Sequence, residues 1–150
     1  MVSAARHIAA MDKINDLVSV RERTAKEVRS RLATYGFADD EIDDAVETAL
    51  RVGLINEERY ARAFIRGKQH KGWGRGKIVQ RLRADGVDDE TIDACSLEFS
   101  DPEEELARAL HEIERHPSHS KDPYASYMRR LLGKGYSMDI ARRAVKEFLG

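Results

Sequence analysis

The chain has 150 residues, 41% of them hydrophobic and 35% charged, with a formal net charge of −1. That length excludes a large enzyme with a separate cofactor domain, and a charged share well above the usual value of about 25% suits amphipathic helices better than a β-sandwich. No apolar stretch approaches the roughly 18 residues that a bilayer span requires, the first ten residues carry no apolar core of signal-peptide type, and the single Cys95 has no disulfide partner, so a cytoplasmic protein without a membrane segment is expected.

In chain order, a weak helix is predicted over Ile8 to Val20. The stripe Ala25, Val28 and Leu32 predicts a second helix, opened by a capping box at Thr24-Ala25-Lys26-Glu27. Ile42, Ala45, Val46, Ala49 and Leu50 follow the helical stripe of a third. Asn56 caps a helix striped by Tyr60, Ala61, Phe64 and Ile65, followed by one through Ile78, Val79 and Leu82, then one through Ile92, Cys95 and Phe99. Asp101-Pro102 opens the helix of Leu106, Leu110 and Ile113. After a loop at His116 to Pro123 come the stripes Tyr124, Tyr127, Met128, Leu131, Leu132 and Ile140, Ala144, Val145, Phe148.

These nine helices repeat as triplets. Arg31-Leu32-Ala33-Thr34-Tyr35-Gly36-Phe37 returns as Arg81-Leu82-Arg83-Ala84-Asp85-Gly86-Val87 and as Arg130-Leu131-Leu132-Gly133-Lys134-Gly135-Tyr136. Each glycine is placed to end one helix in the left-handed conformation, with the next apolar residue folding back onto it. The fold class is therefore all-α: three tandem three-helix repeats over 1–54, 55–100 and 101–150, leaning on one another in an elongated, curved array, because a unit of that size buries little alone.

Charge runs in blocks: net +3 over 1–35, −7 over 36–58, nine basic and no acidic residues over 59–84, −10 over 85–105 and +4 over 106–150. Segregated blocks point to polyelectrolyte partners, although acids at helix starts also suit the helix dipole. The basic block holds Arg59, Arg62, Arg66, Lys68, Lys71, Arg75, Lys77, Arg81 and Arg83, with Arg59, Arg62 and Arg66 on one helix face. Arg75 and Lys77 stand at a helix N-terminus after a Lys71-Gly72-Trp73-Gly74 turn whose amides are free to meet phosphate, or an acidic protein groove. Trp73 either stacks on a base or partner or plugs the seam between modules.

No catalytic constellation is present. Gly72-Trp73-Gly74-Arg75-Gly76-Lys77 is no phosphate loop, since Lys71 replaces its first glycine and Ile78 its Ser or Thr. Cys95 lies on an apolar stripe as a small core residue, and His111, His116 and His119 lack the further ligands a metal needs. Neither an enzyme, a cofactor nor a metal is expected.

At these residues the sequence resembles the RecX family. Arg21, Arg23, Thr24, Glu27, Val28, Arg31 and Leu32 with Gly36-Phe37 look like its opening pattern, and Gly53-Leu54-Ile55-Asn56-Glu57-Glu58-Arg59-Tyr60-Ala61-Arg62-Ala63-Phe64 is similar to its most characteristic stretch. Gly72-Trp73-Gly74 with Ile78 and Leu82, and Arg129-Arg130-Leu131 through Gly135-Tyr136-Ser137 and Ile140, complete the match, while Arg81 stands where the family commonly has Glu. The resemblance implies three tandem three-helix repeats. It also implies a negative regulator of the RecA recombinase, which binds the groove of the RecA filament on single-stranded DNA and controls recombinase, ATPase and coprotease functions in DNA repair and the SOS response. A monomer with weak, sequence-indifferent DNA affinity is expected, with the basic block, Trp73, Arg129 and Arg130 as the contact candidates. An autonomous helix-turn-helix-like DNA regulator is the competing reading.

Overall fold

A computed structural model describes all residues, 1–150, and it is helical throughout. The first module comprises α1 (Ala4–Val20), α2 (Ala25–Thr34) and α3 (Asp39–Val52). The second comprises α4 (Glu57–His70), α5 (Arg75–Ala84), α6 (Asp89–Ala94) and a 3-10 turn at Ser96–Glu98, and the third α7 (Pro102–Arg115), α8 (Pro123–Gly133) and α9 (Met138–Leu149).

Each module has its own apolar core. Ile14, Val28, Leu32, Val46 and Ile55 centre the first, Ile65, Ile78, Leu82, Cys95 and Phe99 the second, and Ile113, Leu131, Tyr136 and Val145 the third. The three cores stay separate, and the exposed surface reflects it: 8971 Å², against about 7,700 Å² for a compact 17.0 kDa chain. The array is elongated. No helix is long and apolar enough to cross a membrane.

The repeated glycine turn has one geometry in all three modules. Gly36, Gly86 and Gly135 take φ of 90°, 92° and 96°. In each turn the next residue's amide reaches back to the helix: Phe37 to the Leu32 carbonyl, Val87 to Leu82 and Tyr136 to Leu131, at 3.2, 3.0 and 3.1 Å. These bonds satisfy carbonyls that a helix end otherwise leaves open.

Several expectations change in detail. Ser3 accepts a bond from the Arg6 amide and starts α1 at Ala4, four residues before Ile8. The helix expected through Ile92 and Phe99 stops at Ala94; the 3-10 turn then carries Cys95 and Phe99 into the core. Thr24 caps α2 through the Glu27 amide, but the Glu27 carboxylate turns away from the capping box to Arg21 and Arg23. Arg23 is itself buried, its Nε donating to the Leu17 carbonyl, so this arginine pins the end of α1 to the start of α2. Leu50, Tyr124 and Leu132 are exposed although they continue their stripes, because three-helix modules cover less of each helix than the periodicity counts.

Candidate nucleic-acid interface

The basic block divides into cations with acidic partners and cations without. Arg59 Nε donates to Glu22 at 2.5 Å and its Nη2 to the Gly53 carbonyl at 3.0 Å, reaching back into the first module. Arg62 pairs with Glu58 at 2.5 Å and Arg66 with Glu98 at 3.1 Å. Each arginine of the one-sided face of α4 thus has a carboxylate beside it. Arg81 pairs with Asp85 and Arg83 with Asp89. Asp85 also accepts the Tyr60 hydroxyl at 2.7 Å; burial first, then this bond, raises the Tyr60 pKa above the ordinary phenol value. Arg130 bridges to the buried Glu112 at 3.2 Å, whereas Arg129 is exposed and has no salt-bridge partner.

The charge blocks thus intermix in space. Acids of 36–58 and 85–105 bond to basic residues of other segments, including Glu41 to Arg6, Asp43 to Arg29 and Glu98 to Arg66. The segregation along the sequence becomes pairing between neighbouring helices, which uses much of the charge that the sequence alone assigns to partners.

Lys68, Lys71, Arg75 and Lys77 remain without a carboxylate partner. Trp73 organises two of them: Lys68 Nζ lies 4.6 Å and Lys77 Nζ 4.2 Å from its ring centroid. Lys68 also sits 5.4 Å from Phe64, which meets Trp73 edge-on at 6.2 Å. Cation–π contact holds both ammonium groups in place without cancelling their charge. Burial lowers the Lys68 pKa below the ordinary lysine value, and the nearby charges of Lys71, Arg81 and Lys77 push it the same way. Two ammonium groups are thus held on one aromatic pair with further cations nearby, an arrangement that an anion relieves. Arg75 lies apart from this group, its guanidinium 4.4 Å from the Phe99 ring.

The glycines around Trp73 have a different task from the one expected. Their amides are not free for phosphate: Gly72 donates to Gln69, Trp73 to Lys68, Gly74 to the Lys134 carbonyl at 2.7 Å and Gly76 to the Gly135 carbonyl at 3.0 Å. The Arg75 amide donates to Glu105 Oε1 at 3.1 Å. The α4–α5 turn is therefore stitched by backbone bonds to the α8–α9 turn, and Glu105 of the third module caps the N-terminus of α5, where Gly74 offers no side chain. A Cβ at Gly74 would stand 2.5 Å from the Tyr136 amide nitrogen, and one at Gly135 2.4 Å from that of Lys77. These glycines permit contact of two backbones. Trp73 packs against the second core next to this seam while holding its two lysines.

Two buried acids escaped the sequence reading, Glu105 and Glu112, 8% and 5% exposed. Glu112 faces Arg130, Lys134 and His116. Seven residues apart on α7, among Leu106, Ala109 and Ile113, they occupy the stripe the sequence reserves for apolar side chains; that placement was the available signal.

Comparison with known proteins places this geometry in a family. The "Regulatory protein RecX" of Amycolatopsis mediterranei (strain U-32) is 31% identical over 150 residues, covering 96% of this chain and 85% of that protein. The chain belongs to the RecX family. RecX of Trichlorobacter lovleyi is 33% identical over 135 residues, covering 85% of this chain and 87% of the relative. Residues 10–48 match the family model of the first three-helix domain of RecX, and residues 56–95 that of the second. The crystal structure of RecX from Lactobacillus salivarius superposes with a TM-score of 0.82 at 22% identity over 97% of this chain and 98% of its own, so the RecX fold extends through the third module. RecX proteins are regulatory, and the two stretches that carry the family's pattern here meet directly through Glu22 and Arg59.

Proposed function

We propose that this chain is a negative regulator of the RecA recombinase. It lies as a monomer in the groove of the RecA filament on single-stranded DNA in the bacterial cytoplasm and restrains the recombinase, ATPase and coprotease functions. It acts by binding and catalyses no reaction. Its modules run over 1–54, 55–100 and 101–150, and each can meet a different part of a helical groove.

The observation that carries this reading is the group of unpaired cations held on Phe64 and Trp73. Lys68 and Lys77, held there, with Lys71, Arg75 and Arg129 beyond them, are the contacts to phosphate or to acidic protein surface. Arg59 ties the second module to the first, while Arg62, Arg66, Arg81, Arg83 and Arg130 are paired within their own modules and contribute less. Weak, sequence-indifferent affinity for bare DNA follows, since a handful of phosphate contacts supplies little at physiological salt.

The competing reading, an autonomous helix-turn-helix regulator, needs the N-terminal turn of a recognition helix free to enter a groove. In α5 that turn is bonded to Glu105, Lys134 and Gly135, which weighs against it. The test is RecA's DNA-dependent ATPase rate titrated with this protein. Inhibition at substoichiometric amounts supports action on the filament; a rate that falls only as the protein saturates the DNA contradicts it.

A further inference from the structure

The two joints of the array are built differently. Between the second and third modules run two backbone hydrogen bonds, the Glu105 cap and the Tyr136 hydroxyl, which donates to the Gly72 carbonyl at 2.8 Å. Between the first and second modules the one backbone bond is local to the connecting turn, from the Ile55 amide to the Ala49 carbonyl at 3.2 Å, and none links a turn of one module to a turn of the other. That joint is held by side chains at the surface: Arg59 on Glu22 and the Gly53 carbonyl, and Lys26 Nζ donating to the Ala84 carbonyl at 2.8 Å.

Beside this weaker joint lies an open cleft of about 720 Å³, walled by α2 on one side and α4 and α5 on the other. Tyr60 and Phe64 form an aromatic floor, and Lys26 and Lys68 face the cleft from opposite modules. Each acid along it has a partner, Glu27 in Arg21, Glu22 in Arg59 through Oε1, and Asp85 in Tyr60 and Arg81, and only the buried Glu22 Oε2 has none. Lys26 spends one of its three donors on Ala84 and keeps two, and Lys68 has no carboxylate partner. Beyond the cleft Lys68 shares the Trp73 ring with Lys77, so the cations that meet here begin on α2 with Lys26, outside the basic block of the sequence.

We propose that this cleft binds the sugar-phosphate backbone of a nucleic-acid strand between Lys26 and Lys68, and that an occupied cleft fixes the first module against the second. The inference rests on the reading that this chain works on a nucleoprotein filament. A strand held from both walls replaces a few exposed side-chain bonds with a continuous bridge. The joint is mobile when empty and closed when loaded, while the backbone-bonded joint between modules two and three is unaffected.

The experiment uses the full chain in a Cys95→Ala background, with spin labels at Asp12→Cys and Asp93→Cys across the first joint, or at Asp93→Cys and Glu114→Cys across the second. Distance distributions are recorded alone, with oligodeoxythymidylate, and with sodium phosphate at matched ionic strength. The first pair is expected to be broad alone and to narrow with the oligonucleotide, and the second pair narrow throughout. Lys26→Gln is expected to weaken oligonucleotide binding about threefold at low salt and to lower the slope of log affinity against log salt by about 0.7, as removal of one phosphate contact does. Unchanged affinity and slope in Lys26→Gln overturn the proposal, as does a first pair unmoved by the oligonucleotide. Equal narrowing with sodium phosphate overturns the strand as ligand. The same proteins are titrated on RecA-coated DNA. A wild-type preference for the filament with Lys26→Gln unaffected removes the cleft alone; a Lys26→Gln defect on DNA with no filament preference removes the filament reading alone.

Discussion

Gly36 and Gly135 close helices in the same way, with φ of 90° and 96°, yet replacing them with alanine is expected to have different consequences. At Gly36 an added methyl meets nothing within 4 Å, so Gly36→Ala carries only the cost of a left-handed alanine, about 1 kcal/mol. At Gly135 the methyl would sit 2.4 Å from the Lys77 nitrogen and 2.9 Å from its Cα, both on the backbone of α5. The seam must part to admit it. Separation breaks the bonds from Gly74 to Lys134 and from Gly76 to Gly135, each worth about 1 kcal/mol net. Gly135→Ala therefore costs about 3 kcal/mol, with about 2 kcal/mol of it at the seam. The chain's one tryptophan, Trp73, stands in the seam's own turn, so its emission during urea unfolding reads the joint directly. At a urea slope of about 1–3 kcal/mol/M, the Trp73 transition of Gly135→Ala should fall about 1 M below that of Gly36→Ala. Coincident Trp73 transitions for the two variants would refute the claim that these glycines exist to join modules.

Three further outcomes follow from the same contacts. Lys68→Gln, Lys71→Gln and Lys77→Gln together should weaken filament binding about tenfold in fluorescence anisotropy, whereas Arg62→Gln with Arg66→Gln, whose charges are already paired, should change it less than twofold; equal losses in the two sets would contradict the division of the basic block. Glu112→Ala leaves Arg130 and Lys134 facing a space lined by one fewer charge, and thermal unfolding should show a loss of about 1–3 kcal/mol. Glu57 has a buried, unpartnered Oε2, and burial first, then the charge of Asp88, raises its pKa in the folded protein. A raised folded pKa means the native state binds the proton more tightly, so Glu57 costs stability at neutral pH and the cost fades as pH falls through the raised value. Glu57→Gln should thus raise the unfolding midpoint at pH 7 and lose that advantage toward pH 4; a gain independent of pH would contradict the assignment.

What the sequence revealed and what it hid divide along a physical line. The turns at Gly36, Gly86 and Gly135 were legible because a left-handed C-cap is a local requirement. So were the module cores, because periodicity reports which face a helix turns toward its own neighbours. The pairing of Arg59 with Glu22 and of Arg66 with Glu98 was not, since those partners lie 37 and 32 residues away and only the packing brings them together. Nor was the use of Gly74 and Gly76, whose bonds reach a turn in another module. In the candidate site, Lys68, Lys71, Trp73 and Lys77 belonged to the basic block from the start. Their separation from the paired arginines depends on how the helices pack, and Lys26 lies outside the block altogether.

The most direct test of the account measures affinity side by side on bare single-stranded DNA, on free RecA and on RecA-coated single-stranded DNA at one salt concentration. A regulator of the filament finds both its surfaces only on the coated strand, so the account predicts affinity there well above that for either component alone. Equal affinity for bare and coated DNA, or a duplex consensus site bound about 10³-fold more tightly than random sequence, would contradict it.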